Sequence, residues 1–163
     1  MKPWIKAGIA GGILQILFTL PSFAAFYLPA AIGSILSLFA CCLFLVLYPL
    51  PGVLEVHWTA ESRTEGKLML AGGLASLLAT GIDGVATLLL VVIASLSGAV
   101  ERYLQQVVPN EMELIDQAGM DFLFSTSGLL VQTGVGVVFH IITGVALSAL
   151  GGLVYAGMRS KNK

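Results

Sequence analysis

Residues 68–100 read LMLAGGLASLLATGIDGVATLLLVVIASLSGAV, and this stretch decides the fold class of the chain. Its one charged residue is Asp83, and the other residues are apolar, small or weakly polar. About 20 consecutive apolar residues are enough for a helix to cross the hydrocarbon core of a bilayer. The stretch therefore predicts a transmembrane helix that carries a carboxyl group near its middle.

The composition of the whole chain extends this interpretation. The 163 residues are 57% hydrophobic and only 10% charged, and the mean hydropathy is +0.95. Soluble domains carry about 25% charged residues, so lipid rather than water is expected to surround most of this chain. The net charge of −1 gives no support for nucleic-acid binding, and no cofactor or metal motif is present in the sequence.

Three further apolar stretches complete the prediction. They are Trp4–Phe26, Pro29–Pro51 and Phe122–Met158, and together with Leu68–Val100 they predict an all-α integral membrane four-helix bundle in which residues 1–163 form a single membrane domain. The last two stretches exceed a minimal crossing, which indicates tilt or helix ends outside the bilayer. A secretory signal peptide is the alternative for the first stretch, but its apolar run is long for one.

The distribution of basic residues predicts the orientation. Seven of the eight lysines and arginines fall on one side of the four spans, and Arg102 falls on the other. The positive-inside rule therefore places both termini and the loop 49–66 in the cytoplasm, and the chain in the plasma (bacterial inner) membrane as a multi-pass protein. An aromatic belt is consistent with this, with one set of residues near the inner boundary and a second near the outer one: Trp4, Tyr48, Trp58 and Tyr155 inside, Tyr27 and Tyr103 outside.

Two polar loops connect the spans. In the outer acidic loop 101–121, Asn110 and Glu113 resemble a capping box, so a short helix from Glu111 to Ala118 is one interpretation, and a solvated connector is the favoured one. The inner loop holds four titratable residues that are expected to be ordinary solvated side chains and not metal ligands: Glu55, His57, Glu61 and Glu65.

A short internal similarity suggests a duplication. Lys6–Ile13 aligns with Lys67–Leu74, and both segments open an outward-going span with a lysine followed by an Ala-Gly-Gly motif. The alignment suggests two hairpins of the same orientation, related as parallel repeats. Small residues are common in membrane helices, so chance similarity remains the alternative.

These motifs also carry a resemblance. The chain resembles a group of small uncharacterised prokaryotic four-span membrane proteins. The points of likeness are Gly11-Gly12 in a first span that ends near Pro21, Cys41-Cys42 in the second span, Ala71-Gly72-Gly73 at the start of the third, and Gly151-Gly152 at the end of the fourth. The loop 49–66 departs from that pattern because it lacks the group's short tyrosine-containing link. The resemblance implies the four-span architecture and no particular activity.

Three polar side chains fall at about the same depth in three spans. They are Gln15, Asp83 and His140. An aspartate at a helix centre costs roughly 2.5–3.5 kcal/mol on insertion scales, so we expect it to face the bundle interior and to have a partner. Asp83 and His140 are the natural pair.

Small residues at helical spacing predict the contact faces of these spans. Such stripes let helix backbones approach closely. The predicted helix-packing residues are Gly8, Gly12, Ala75, Ala79, Gly136, Gly144, Ser148 and Gly152.

Two functions remain open from the sequence. The favoured one is a non-enzymatic packing protein, either an accessory subunit of a larger membrane assembly or a homo-oligomer, because the small-residue faces exceed what one bundle needs. A strictly monomeric chain in mild detergent, without a co-purifying partner, would count against it. The alternative is a small transporter or proton-conducting or ion-conducting protein that uses Asp83 and His140. An intramembrane enzyme is disfavoured, because no spacing brings a nucleophile and a base together.

Overall fold

The computed structural model describes residues 1–59, 64–107 and 125–161. Within these ranges the chain forms helices and no strand. Numbered in chain order, they are α1 (Pro3–Ala24), α2 (Ala30–Leu47), α3 (Leu50–Trp58), α4 (Glu65–Leu96), α5 (Ala99–Val107) and α6 (Thr126–Lys161), and a short 3-10 turn, Ala25–Tyr27, follows α1. The short helix considered for 111–118, the side chain of Cys41 and the side chain of Tyr103 lie outside what is described.

Among the residues that the structure describes, four helical segments are long and apolar enough to cross a membrane: Pro3–Ala24, Ala31–Trp58, Glu65–Leu96 and Ser127–Ser160. This confirms the predicted all-helical, multi-pass class. The third segment has 32 residues and, at about 1.5 Å per residue, is about 48 Å long, whereas the hydrocarbon core is about 30 Å thick.

The second span differs from its predicted end. The sequence interpretation ended it at Pro51, because proline stops a helix. In the structure a new helix, α3, begins at Leu50 and continues to Trp58, with Pro51 in its first turn. A proline is tolerated there because the first N–H groups of a helix have no intrahelical acceptor. The inner loop is therefore shorter than predicted, and α2 and α3 together form the second apolar segment.

The helices pack around α4. This helix lies between α1 and α6 and makes extensive contacts with both, and α3 contacts α1, α4 and α6. By contrast, α2 packs mainly on α1 and the 3-10 turn. An open groove is therefore left between α2 and α6.

Two sets of contacts involve basic residues at helix ends, one at the starts of α1 and α4 and the other at the ends of α3 and α6. Trp4 and Lys67, near the starts of α1 and α4, line one small surface pocket. The Arg159 guanidinium, near the end of α6, donates hydrogen bonds to the carbonyl oxygens of Val56 and Thr59 at the end of α3, at 3.2 and 3.5 Å. We call this end of the molecule the basic end.

Close approach at glycine brings the helices together near the basic end. A Cβ atom added to Gly52 in α3 would overlap the carbonyl oxygen of Ser148 in α6. A Cβ atom on Gly72 in α4 would lie 3.2 Å from the same oxygen, and the Ser148 hydroxyl donates to the Gly72 carbonyl oxygen at 2.9 Å. Three helices therefore meet backbone to backbone at Ser148, and we call this point the constriction.

Candidate functional site

Asp83 lies in the middle of α4, and its side chain is only 6% exposed. Its partner is Thr19 of α1, whose hydroxyl donates to a carboxyl oxygen of Asp83 at 2.8 Å. The same hydroxyl lies 3.0 Å from the carbonyl oxygen of Gln15, one turn earlier in α1. The hydroxyl proton of Thr19 therefore lies between two acceptors, the Gln15 carbonyl oxygen on α1 and the Asp83 carboxyl group on α4.

Gln15 is 1% exposed. Neither its amide nitrogen nor its amide oxygen makes a hydrogen bond to the part of the chain that the structure describes. A buried amide without hydrogen-bond partners lowers the free energy of unfolding by on the order of 1–3 kcal/mol, so Gln15 destabilises the fold relative to an apolar residue. The amide lies one helical turn from Thr19, which contacts Asp83.

His140 is not buried as the sequence analysis expected, since its side chain is exposed. It lies against two aromatic rings, those of Phe44 and Tyr48, at centroid distances of 5.8 and 5.9 Å. Tyr48 is itself 5% exposed. It therefore packs inside the protein against the imidazole.

Asp83 and His140 share one cavity. It lies between α4 and α6 and has a volume of about 220 Å³. Its lining includes the two ionisable side chains and the threonines at positions 80, 87 and 133, with Gly84, Gly136 and Val137 completing the wall. We call it the Asp83 cavity. The structure thus brings the predicted pair to one space, with Thr19 rather than His140 as the hydrogen-bond donor to the carboxyl group.

A second space lies on the other side of His140. It is the groove between α2 and α6, with a volume of about 380 Å³, and it is mostly apolar. Phe44 and Tyr48 line it, as do Phe139, Leu45 and the hydroxyl-bearing Ser22 and Thr143. Leu45 and Phe139 are more than 60% exposed at its rim. His140 therefore lies between two spaces, the cavity that contains Asp83 and the groove between α2 and α6.

The polar face of α4 continues beyond the cavity toward the basic end. Asp83, Thr80 and Ser76 follow one another at intervals of about one turn, and all three are buried. The Thr80 hydroxyl donates to the Ser76 carbonyl oxygen at 2.8 Å. Isolated serines and threonines in an apolar helix give no periodic signal, so the sequence alone does not indicate this polar face.

Glu55 corrects a second expectation. It was predicted to be a solvated loop residue, yet it lies in α3 and is 0% exposed. Its carboxyl group accepts a hydrogen bond from the Thr59 hydroxyl at 3.0 Å. His57, on the same helix, is exposed and lies 3.0 Å from the Tyr155 hydroxyl through Nδ1. Across the described ranges, no group of three or more His, Cys, Asp or Glu residues is placed to hold a metal ion.

The small residues predicted to pack helices lie mostly against helices of this same chain. Ala75 and Ala79 are 0% exposed. An added Cβ atom would meet a neighbouring helix within 3.4 Å at four of the predicted positions, namely Gly8, Gly12, Gly144 and Gly152, and Ser148 lies at the constriction. Gly136 differs, because a Cβ atom there would meet nothing within 4 Å, and it lines the Asp83 cavity. Most of these residues are therefore used inside one chain, which weakens the argument for a packing partner.

These features are those of an α-helical protein with four helical segments that could cross a membrane and a buried carboxyl group in a cavity between two of them, among the residues that the structure describes. No family model, curated protein or solved structure matches the chain.

Proposed function

We propose that the protein conducts protons across a membrane through the Asp83 cavity. The observation that carries this proposal is a carboxyl group buried at the middle of a membrane-spanning helix, in a cavity that also holds an imidazole from the facing helix. Ionisable groups inside membrane spans are rare, face the bundle interior and commonly mark proton and ion pathways.

The size of the cavity favours protons over organic solutes. Its volume of about 220 Å³ is below the roughly 300–1,000 Å³ of small-molecule sites, but it admits several water molecules. Water, the threonine hydroxyls and the imidazole supply both hydrogen-bond donors and acceptors around the carboxyl group. A proton can be passed along such a set without any group leaving its place.

We also propose an orientation of the helices in the membrane. Lys2, Lys6, Lys67 and Arg159 all belong to the basic end, whereas Arg102 lies beyond the far end of α4. The positive-inside rule then places the basic end, with both chain termini, in the cytoplasm. In this orientation α4 and α6 form one hairpin and α1 with α2 and α3 the other, arranged as a four-helix bundle, which is compatible with the parallel repeat suggested by the sequence.

A purely structural role for Asp83 is the competing interpretation. The bond from Thr19 would then lock α1 to α4, and interhelical hydrogen bonds of this kind contribute about 0.6 kcal/mol on average. Asparagine separates the two roles. Its amide oxygen can still accept the Thr19 hydrogen bond, so a lock survives, but an amide cannot carry a proton at neutral pH.

The test uses purified protein in lipid vesicles that contain a pH-sensitive dye, with a membrane potential set by potassium and valinomycin. We expect proton uptake by wild-type protein, and a fall to the rate of protein-free vesicles for Asp83→Asn. Glu65→Gln is the matched control, because Glu65 is an exposed carboxyl residue in the first turn of the same helix, and its flux should equal that of wild type.

Helical circular dichroism and the elution volume in detergent must show that Asp83→Asn is folded. Equal flux in the folded Asp83→Asn variant and in wild type would refute the proposed role. The absence of flux in wild type would refute proton conduction itself.

A further inference from the structure

A small pocket lies between the starts of α1 and α4, at the basic end. It has a volume of about 210 Å³, and its lining consists of one residue of α1, Trp4, and four residues of α4, namely Lys67, Leu70, Ala71 and Leu74. The four residues of α4 follow the spacing i, i+3, i+4 and i+7, so they form one stripe along a single face of the helix. The pocket shares no lining residue with the Asp83 cavity.

The stripe changes from cationic to apolar along the helix. Lys67 is exposed in the first turn of α4, and Leu74 lies seven residues further, which is about 10 Å along the helix axis. Between them, Leu70 is 65% exposed. Trp4, half-buried on the facing helix, is of a residue type that concentrates at the boundary between hydrocarbon and headgroups. A lysine at such a boundary keeps its ammonium group in the polar layer while its stem lies along apolar surface.

The pocket ends where α1 and α4 come into contact. Ala71 is 7% exposed, and Ala75, one turn further along α4, is 0% exposed. A Cβ atom added to Gly8 of α1 would lie 2.8 Å from the Ala75 carbonyl oxygen, so the two backbones touch there. The pocket is therefore closed on the side of the membrane interior and is bounded by exposed residues at the helix ends.

The size of the pocket indicates what kind of molecule fits it. Its volume of about 210 Å³ is below the roughly 300–1,000 Å³ of sites that enclose a small soluble ligand. A molecule bound here therefore keeps most of its own volume outside the pocket. A membrane lipid meets this requirement, because one segment can lie between Trp4 and Leu70 while the rest stays in the bilayer.

The charge at the polar end of the pocket favours an anionic headgroup. The Lys67 ammonium is a cation beside an apolar wall, and the N-cap residue of α4, Thr64, makes no side-chain capping hydrogen bond. The first N–H groups of α4 and the positive end of its dipole therefore also attract a phosphate oxygen. Glu65 is the nearest carboxyl residue along α4, but residues two apart do not face each other on a helix, and Glu65 does not line the pocket.

We infer that this pocket binds an anionic phospholipid, with its phosphate beside Lys67 and part of one acyl chain along Leu70 and Leu74. A lysine near a membrane surface favours an anionic lipid over a zwitterionic one about fivefold. Because α1 and α4 both line the pocket, the bound lipid stabilises the contact between them at the basic end. The site does not involve Asp83, so it goes beyond the proposed function and does not depend on it.

The test uses Trp4 as the reporter. The chain has two tryptophans, so Trp58→Phe leaves Trp4 as the single fluorophore. This variant is reconstituted in vesicles of phosphatidylcholine and phosphatidylglycerol, in which one of the two lipids carries brominated acyl chains that quench a neighbouring tryptophan. The ratio of the two quenching curves gives the relative occupancy of the lipids beside Trp4. We expect phosphatidylglycerol to be favoured about fivefold, and Lys67→Gln to remove nearly all of this preference.

Lys6→Gln is the matched control for the lost charge. Lys6 is also an exposed lysine at the basic end and aligns with Lys67 in the internal similarity, but it does not line the pocket. Its variant should keep the preference for phosphatidylglycerol. Equal quenching by the two lipids in the Trp58→Phe protein would overturn the inference. An equal loss in Lys6→Gln and Lys67→Gln would also overturn it, because that is the behaviour of a diffuse surface charge.

Ala71→Leu tests the pocket itself and leaves the charge unchanged. The larger side chain occupies the space between Trp4 and Leu70, so the preference for phosphatidylglycerol should fall although Lys67 is present. Helical circular dichroism checks that the variant is folded, and an unchanged preference in the folded variant would show that no lipid is seated in the pocket. None of these measurements uses proton flux, so the lipid site and the proposed function can fail separately.

Discussion

Gly52→Ala is the substitution whose effect can be worked out most directly from the structure. The added methyl group would overlap the main-chain carbonyl oxygen of Ser148, so no change of side-chain rotamer can make room. Helices α3 and α6 must move apart, and overpacking of this kind costs about 3 kcal/mol at the upper end of its usual range. Alanine recovers about 1 kcal/mol through its higher helix propensity. The expected net loss is about 2 kcal/mol, or roughly a thirtyfold change in the unfolding equilibrium.

The assay is reversible unfolding in mild detergent, followed by the fluorescence of Trp58 at the end of α3. Gly66→Ala is the control, because a Cβ atom at Gly66 meets nothing within 4 Å and should cause no loss of stability. Gly72→Ala should fall between the two, since its Cβ atom would lie 3.2 Å from the same oxygen. If Gly52→Ala were as stable as Gly66→Ala, the close packing of α3 against α6 would be wrong.

Two further predictions concern single hydrogen bonds. A double-mutant cycle of Thr19→Val and Asp83→Ala should give a coupling free energy of about 0.6–1.7 kcal/mol in detergent unfolding, and additive effects would show that the α1–α4 bond contributes nothing. Arg159→Gln shortens the side chain that donates to the last carbonyl oxygens of α3, so amide hydrogen exchange across residues 50–58 should become faster. The free energy of global unfolding should fall by less than about 1 kcal/mol, because the Arg159 side chain is exposed. Unchanged exchange would contradict this capping role.

The membrane class could be predicted from the sequence because hydropathy summed over about 20 residues is a strong signal. The position of Asp83 near the middle of a long apolar helix could be predicted, because it lies near the centre of the Leu68–Val100 stretch. Gln15 was predicted to lie at a similar depth, and the Thr19 hydroxyl contacts both the Gln15 carbonyl oxygen and the Asp83 carboxyl group. Thr19 itself could not be chosen in advance, since a threonine is a weak polar residue that apolar helices carry freely.

The errors near Pro49 and Pro51 have one cause. Proline was taken to end the span, so everything after it was assigned to a solvated loop, including Glu55. The rule omits that a proline which cannot continue one helix is well suited to the first turn of the next. Glu55 is consequently buried in α3, and its acidic side chain gave no sequence signal of burial.

His140 shows a different limit. The spacing of small residues around it predicted a position near a helix contact, but periodicity indicates only which face of a helix is involved and not how much of that face a neighbouring helix covers. Because α2 packs mainly on α1, one side of the imidazole is left open to the groove. The position of α2 depends on tertiary contacts that no local pattern encodes.

The division of the second span into α2 and α3 has a mechanical consequence. At about 1.5 Å per residue, the 18 residues of α2 extend about 27 Å and the 9 residues of α3 about 14 Å, so neither rod alone bridges the roughly 30 Å apolar layer. Pro49 and Pro51 also lack the N–H groups that would bond the carbonyls four residues earlier, which leaves the joint without its normal stiffness. A change of angle at this joint would move α2 as a rigid body while α3 stays packed among three helices. The groove between α2 and α6 beside His140 would then widen or narrow.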